Sequence, residues 1–167
     1  NETLSLTIAT REDVVEGIFH RLTGAITSRG LEILAAQIYT LADGLIIDRY
    51  MVRDPYFVGE PPLDRVQDIR SAIVSALTEK SFHPVFPKIW EMSARSRSQV
   101  PQARVRVQID NASHSDFTLI EVFANDRPGL LYAISRELFE AGCSIWRAKI
   151  GTFLDQVVDV FYVTNHE

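Results

Sequence analysis

One cysteine in 167 residues excludes an internal disulfide and any zinc site built from several cysteines. Long apolar runs are also missing. None approaches the ~18 residues of a membrane-spanning helix, and no signal-peptide pattern opens the chain. A membrane partner is therefore not expected, and a cytoplasmic protein is. Positive charge is in the minority, with 17 Lys and Arg against 22 Asp and Glu, a net charge of −5 that argues against a general nucleic-acid binder. No Walker-type phosphate loop and no Gly-x-Gly-x-x-Gly occurs. His20, His83, His114 and His166 are scattered, and none has the four-residue spacing of a helical zinc pair, so neither a metal nor a cofactor is expected. Ser113, His114 and Asp116 crowd one turn, whereas a catalytic triad is assembled across a fold.

What remains is an ordinary globular composition, 46% hydrophobic and 23% charged, enough for one domain or two small ones. The chain opens on Asn1, almost inside a strand, and so reads as a piece of a longer protein. Cys143 directly follows Gly142 at a helix–strand junction and reads as small core filler. Arg95, Arg97, Arg104 and Arg106 are separated by Ser, Gln and Val and read as part of a solvated linker. His20 beside an apolar helix face reads as a hydrogen-bonded boundary histidine.

Leu4, Leu6 and Ile8 alternate with polar residues as a half-buried strand does. Thr10 with Asp13 resembles a capping box, and Val15, Ile18, Leu22 and Ile26 follow at helical spacing up to a stop at Gly30. Residues 31–42 and 45–53 are β-rich, with Asp43-Gly44 as a hairpin turn between them. Asp64 is placed to cap a helix whose apolar face is Val66, Ile69, Ile73 and Leu77. Residues 81–102 form an irregular connection rich in Pro, Ser and Arg. Phe82, Phe86, Ile89 and Trp90 make part of it too apolar to hang free. A strand at 104–110 either closes the first unit or hairpins over Asn111–Asp116 into a strand from Phe117; near neighbours usually pair, which favours the hairpin. A helix carrying Leu131, Ile134 and Leu138 follows, then strands at 145–152 and 157–163 that turn near Leu154-Asp155.

The strongest signal is internal repetition. At a constant offset of 112 residues Gly17 meets Gly129, Leu22 meets Ile134, Gly30 meets Gly142, Ala36 meets Ala148 and Ile38 meets Ile150. After one residue of slip Asp48 meets Asp159 and Val52 meets Val163. Each unit reads strand–helix–strand–strand, extended in the first copy to the ferredoxin-like βαββαβ plan. The expected architecture is α+β: two antiparallel-sheet units, 1–80 and 103–167, joined by 81–102, with the second copy lacking its last helix. That leaves an apolar face to be covered by further chain or by a partner.

Asn125-Asp126-Arg127-Pro128-Gly129-Leu130 links a strand to a helix. Asp126 reads as N-cap, Pro128 suits the first turn, and Gly129 allows close approach. The pattern is either a well-capped helix start or a carboxylate seat on free N–H groups. Asp126 could receive an ammonium, and the neighbouring strands Ala148-Lys149-Ile150 or Ala36-Gln37-Ile38 could bind the rest of a zwitterion. Asp48 and Asp159 could act as an acid/base pair, but equivalent positions more simply mean equivalent structural roles.

This same motif, with Ala148…Ile150…Thr152 and Asp159-Val160-Phe161-Tyr162-Val163, resembles the ACT domain. Val107-Gln108-Ile109-Asp110-Asn111…Ser115…Thr118-Leu119-Ile120-Glu121-Val122 resembles the approach to the last ACT domain of the bifunctional uridylyltransferase/uridylyl-removing enzymes, which modify the PII nitrogen-signalling protein. Thr40…Asp43-Gly44…Asp48…Val52…Asp54 is similar to their first. The resemblance implies a non-catalytic regulatory fragment that senses an amino acid, glutamine in that family, and controls catalytic domains upstream. It also implies a possible homodimer through ACT–ACT contact. The ligand residues it implies are Asn125, Asp126, Arg127, Gly129, Leu130, Ala148, Lys149 and Ile150. Glu16, Gly17, Gln37 and Ile38 are weaker counterparts, because the first copy reads Glu12-Asp13-Val14-Val15-Glu16-Gly17, without the proline and with Glu16 set to repel a carboxylate. A stand-alone double ACT protein acting by protein contact is the alternative.

Overall fold

The computed structural model describes residues 3–41, 43–86, 104–153 and 156–165. The elements are β1 (Leu4–Arg11), α1 (Ile18–Ser28), β2 (Glu32–Thr40), β3 (Leu45–Arg53) and α2 (Leu63–Thr78). They continue as β4 (Arg106–Asp110), β5 (Thr118–Asn125), α3 (Leu130–Glu140), β6 (Cys143–Lys149), β7 (Thr152–Phe153) and β8 (Gln156–Asn165). Two antiparallel sheets result, in the orders β1-β3-β2 and β4-β5-β8-β6, with the short β7 also on β8. The class is α+β, as expected.

The duplication holds at fine grain. Order β1-β3-β2 corresponds to β5-β8-β6. Both helices start at a left-handed glycine, Gly17 (φ 67°) and Gly129 (φ 71°), and both are followed by another, Gly30 and Gly142. The bulge that breaks the register between Ile33 and Ala35 recurs, at the same offset, between Ile145 and Arg147. Asp48 and Asp159 are both 1% exposed.

Strand 106–110 pairs with β5, so the hairpin alternative holds, and the first sheet has three strands among the described residues. The turn between them is built by Asp110, whose carboxylate accepts the N–H of Ala112 (2.7 Å) and Ser113 (3.0 Å). Gly44, with φ 76°, closes the β2–β3 hairpin as its sequence requires.

α1 and α3 start later than their acidic residues suggest. α3 begins at Leu130 behind Gly129, so Asp126 is not its N-cap and Pro128 lies before its first turn; the left-handed glycine interrupts the helical path. α1 likewise begins at Ile18. Asp13 pairs with Arg11 (3.3 Å) instead of capping. α2 has Pro62 at the cap position, and Asp64 sits inside the first turn. The far end of α2 is held by Arg21, whose guanidinium donates to the carbonyls of Ala76 (3.0 Å), Glu79 (2.7 Å) and Lys80 (2.9 Å), a cation on free C-terminal carbonyls. The loop before α2 is pinned by a buried pair, Arg65 to Asp54 at 2.8 Å.

β2 and β6, the inner edges of the two sheets, lie side by side, and α1 crosses α3 above them. At the crossing Thr23 Oγ1 and Ser135 Oγ are 3.3 Å apart and 112 residues apart in sequence. Equivalent residues meet only on an axis of symmetry, so a pseudo-twofold axis passes here. One apolar core runs through both halves, from Leu22, Ile26, Tyr50 and Val52 to Ala148 and Phe161. A fully buried Leu, Ile, Val or Phe among them contributes about 1.5–3 kcal/mol.

Part of the connection packs down. Phe82 lies on Ala25, Ala72 and Ala76, and Phe86 meets Tyr132 edge-on at 5.6 Å. Ile89 and Trp90, Arg95 and Arg97, and the Leu154-Asp155 turn lie outside the described residues. On β4, Val107 and Ile109 pair with buried Val122 and Ile120, and so share the helix-covered face, yet they are 54% and 65% exposed. This is the bare strip expected where the second copy has no second helix among the described residues.

Candidate functional site

The seam between the halves contains a cavity of about 590 Å³. The first half supplies the loop residues Glu12, Val15, Glu16 and Gly17, then His20 of α1, Ile38 and Thr40 of β2, and Ile46 and Asp48 of β3. The second half closes it with Ser135 and Phe139 of α3 and residues 143–146 of β6. The walls are mostly apolar with a few polar groups, as in small-molecule sites.

Gly17 shapes the entrance. A Cβ there would lie 2.2 Å from His20 Cε1 and 2.4 Å from Nδ1, so the missing side chain is what lets the imidazole lie over the loop. His20 packs against Phe139 (5.0 Å between ring centres) and Tyr132 (6.2 Å). Burial, helped by Arg21 and Arg136, lowers its pKa to about 4, so it is neutral at pH 7. Its buried Nδ1 has no hydrogen-bond partner, contrary to the expectation of a satisfied boundary histidine.

Asp48 is the second unsatisfied group. It lies on the inward face of the central strand, opposite Ile8 on one side and Ile38 on the other. Neither carboxylate oxygen has a partner, and burial pushes its pKa up to about 7. Asp159 is its counterpart. It is also raised to about 7 by burial, and further by Asp126 close by, while a hydrogen bond from the Gly151 backbone opposes the rise.

Of the sequence-predicted residues, Glu16, Gly17 and Ile38 line this cavity. Gln37 is on the other face of β2, where its Oε1 accepts from Tyr39 Oη (3.2 Å). The second-half set does not line the cavity. Asn125 ends β5 opposite Gln156, Arg127 is exposed, and Leu130 packs with Ala124 and Val157. Ala148 and Ile150 are buried, while the Lys149 ammonium lies 5.6 Å over the ring of Tyr162. Above Gly129 sits Phe86, 3.2 Å from where a Cβ would be. Sequence reasoning did not find the contribution of Ser135, Phe139 and residues 143–146, which comes across the seam. A carboxylate at an inward position of an alternating strand, Ile46-x-Asp48-x-Tyr50, was the available signal for Asp48.

Among the described residues no group of His, Cys, Asp or Glu is arranged to hold a metal ion, and no helix is long and apolar enough to cross a membrane. The fold and cavity together define a duplicated α+β unit with a small-molecule-sized space at its internal seam. No family model and no solved structure matches the chain. Curated proteins do. The chain is 36% identical over 152 residues to the bifunctional uridylyltransferase/uridylyl-removing enzyme of Novosphingobium aromaticivorans. It is 34% identical over 154 residues to that of Azospirillum brasilense and 31% over 154 to that of Rhodospirillum rubrum. Each match covers 89% of this chain but only 16% of the relative. The chain is thus homologous to a region of these enzymes, in line with the resemblance read from its motifs.

Proposed function

We propose that this chain is the amino-acid-sensing part of a PII uridylyltransferase/uridylyl-removing enzyme, made of two ACT domains and acting on catalytic domains elsewhere in a longer chain. Glutamine is the proposed ligand. One observation carries the reading: both halves line one cavity. A ligand that fits only one arrangement of the halves shifts their equilibrium toward it, by about 1.4 kcal/mol for each tenfold preference. Glu16, Gly17 and Ile38 then lie at the ligand. Asn125–Leu130 with Ala148–Ile150 form a second, equivalent seat that opens when Phe86 withdraws. The fragment itself performs no catalysis. Calorimetric titration of the 167-residue chain with each amino acid tests this, and silence from all of them at millimolar concentration refutes it. The exposed Val107 and Ile109 favour a second reading, a double ACT protein that works by contact with another protein. An upstream reading frame with a Gly-Ser…Asp-x-Asp nucleotidyltransferase motif decides for the first.

A further inference from the structure

We infer that the seam cavity takes a small primary amine, with its ammonium group seated against Asp48. This rests on the proposed amino-acid reading for its ligand class, but the geometry behind it is independent. Asp48 lines the cavity, is 1% exposed, and has no hydrogen-bond partner on either carboxylate oxygen. An isolated buried carboxylate is strongly unfavourable unless a cation neutralises it or it takes up a proton. At buried Asp54 the protein supplies the cation itself, Arg65 at 2.8 Å. Among the described residues no lysine or arginine lines the cavity, and its other carboxylates are Glu12 and Glu16. A ligand ammonium supplies the counter-cation that the described lining does not. His20 Nδ1, also without a partner, provides a neutral polar contact beside Gly17 for the rest of the ligand.

A linked proton follows. Among the described residues the titratable groups around Asp48 are Glu12 and Glu16 from the loop, His20 from α1, Tyr50 on its own strand and Cys143 from β6. His20, at about 4, and Tyr50, raised by burial, stay uncharged between pH 5 and about 8. Asp48 is the group held near 7, so below that pH an ammonium must displace its proton, and affinity falls about tenfold per pH unit.

The test is calorimetry on the 167-residue chain with L-glutamine, with glutaramate (glutamine without its α-ammonium) and with cadaverine. Expected is binding of glutamine, a loss of about a hundredfold or more for glutaramate, and the same loss in Asp48→Asn. Proton release is expected at pH 6, seen as heats that vary with buffer ionisation enthalpy. Equal binding of glutaramate, or unchanged glutamine affinity in a folded Asp48→Asn protein, overturns the inference and leaves the amino-acid reading standing. Asp48-dependent binding of cadaverine, with no amino acid bound, upholds the inference and overturns that reading. No binding by any probe overturns the inference, and silence from every other amino acid as well overturns both.

Discussion

Asp48→Asn should stabilise the protein in alkali and leave it almost unchanged in acid. The folded state raises the Asp48 pKa from 3.8 to about 7 by burying a carboxylate that nothing pairs. Below pH 3.8 the group is neutral in both folded and unfolded chains, and its burial carries no charge penalty. Between 3.8 and 7 the unfolded chain has lost a proton that the folded one keeps, so stability falls as pH rises, and above 7 the loss is complete. At about 1.4 kcal/mol per pH unit the full cost is about 4 kcal/mol. That is a large part of the 5–15 kcal/mol, in round terms, that holds a typical domain together. Asparagine keeps the shape, cannot ionise, and removes this cost. Urea unfolding at pH 5 and pH 8 measures it: the variant should gain a few kcal/mol over the parent at pH 8 and about a third of that at pH 5. A parent whose stability does not fall between pH 5 and pH 8, or a variant equally destabilised at both, refutes the claim that Asp48 is an unpaired buried charge. Combined with loss of ligand, a stability gain would mark the residue as kept for binding at the expense of the fold.

Gly17→Ala and Gly142→Ala both impose a left-handed backbone on alanine, at about 1–2 kcal/mol. Only the first also drives a methyl into His20, because nothing lies within 4 Å of a Cβ at Gly142. Thermal unfolding should therefore show the larger loss for Gly17, and titration should show weakened ligand binding for Gly17 alone. Phe86→Ala uncovers Gly129, and the calorimetric stoichiometry should rise from one ligand per chain toward two; a fixed stoichiometry counts against a second seat. Val107→Lys should change stability by no more than about 0.5 kcal/mol, since the side chain is 54% exposed, while reducing any concentration-dependent association in sedimentation runs.

The layout of the fold was legible because the repeat was. Glycines at 17, 30, 129 and 142 mark places where the backbone must turn left-handed, and such positions tolerate little else. Strand parity likewise showed in Leu4-x-Leu6-x-Ile8, where alternate residues face the core. Cap positions were less legible. Asp64 and Asp126 both stand near helix starts, yet the first helical residue is set by Pro62 and Gly129. The cavity was the hardest to read. Its wall comes from Ser135, Phe139 and Cys143, residues far along the chain that meet Gly17 only once β2 and β6 lie side by side. The space over Gly129 is set by Phe86, from a connection with no repeat partner to betray it. His20 and Asp48 were visible as residues, but not that folding leaves each without a partner.

Because Thr23 and Ser135 belong to one polypeptide, the two moieties that meet at that hydroxyl contact can never be diluted apart. Were the same joint formed by separate molecules, its occupancy would rise and fall with the amount of protein in the cell. Tethered, it forms as a first-order event whose extent does not depend on how much of the protein is present.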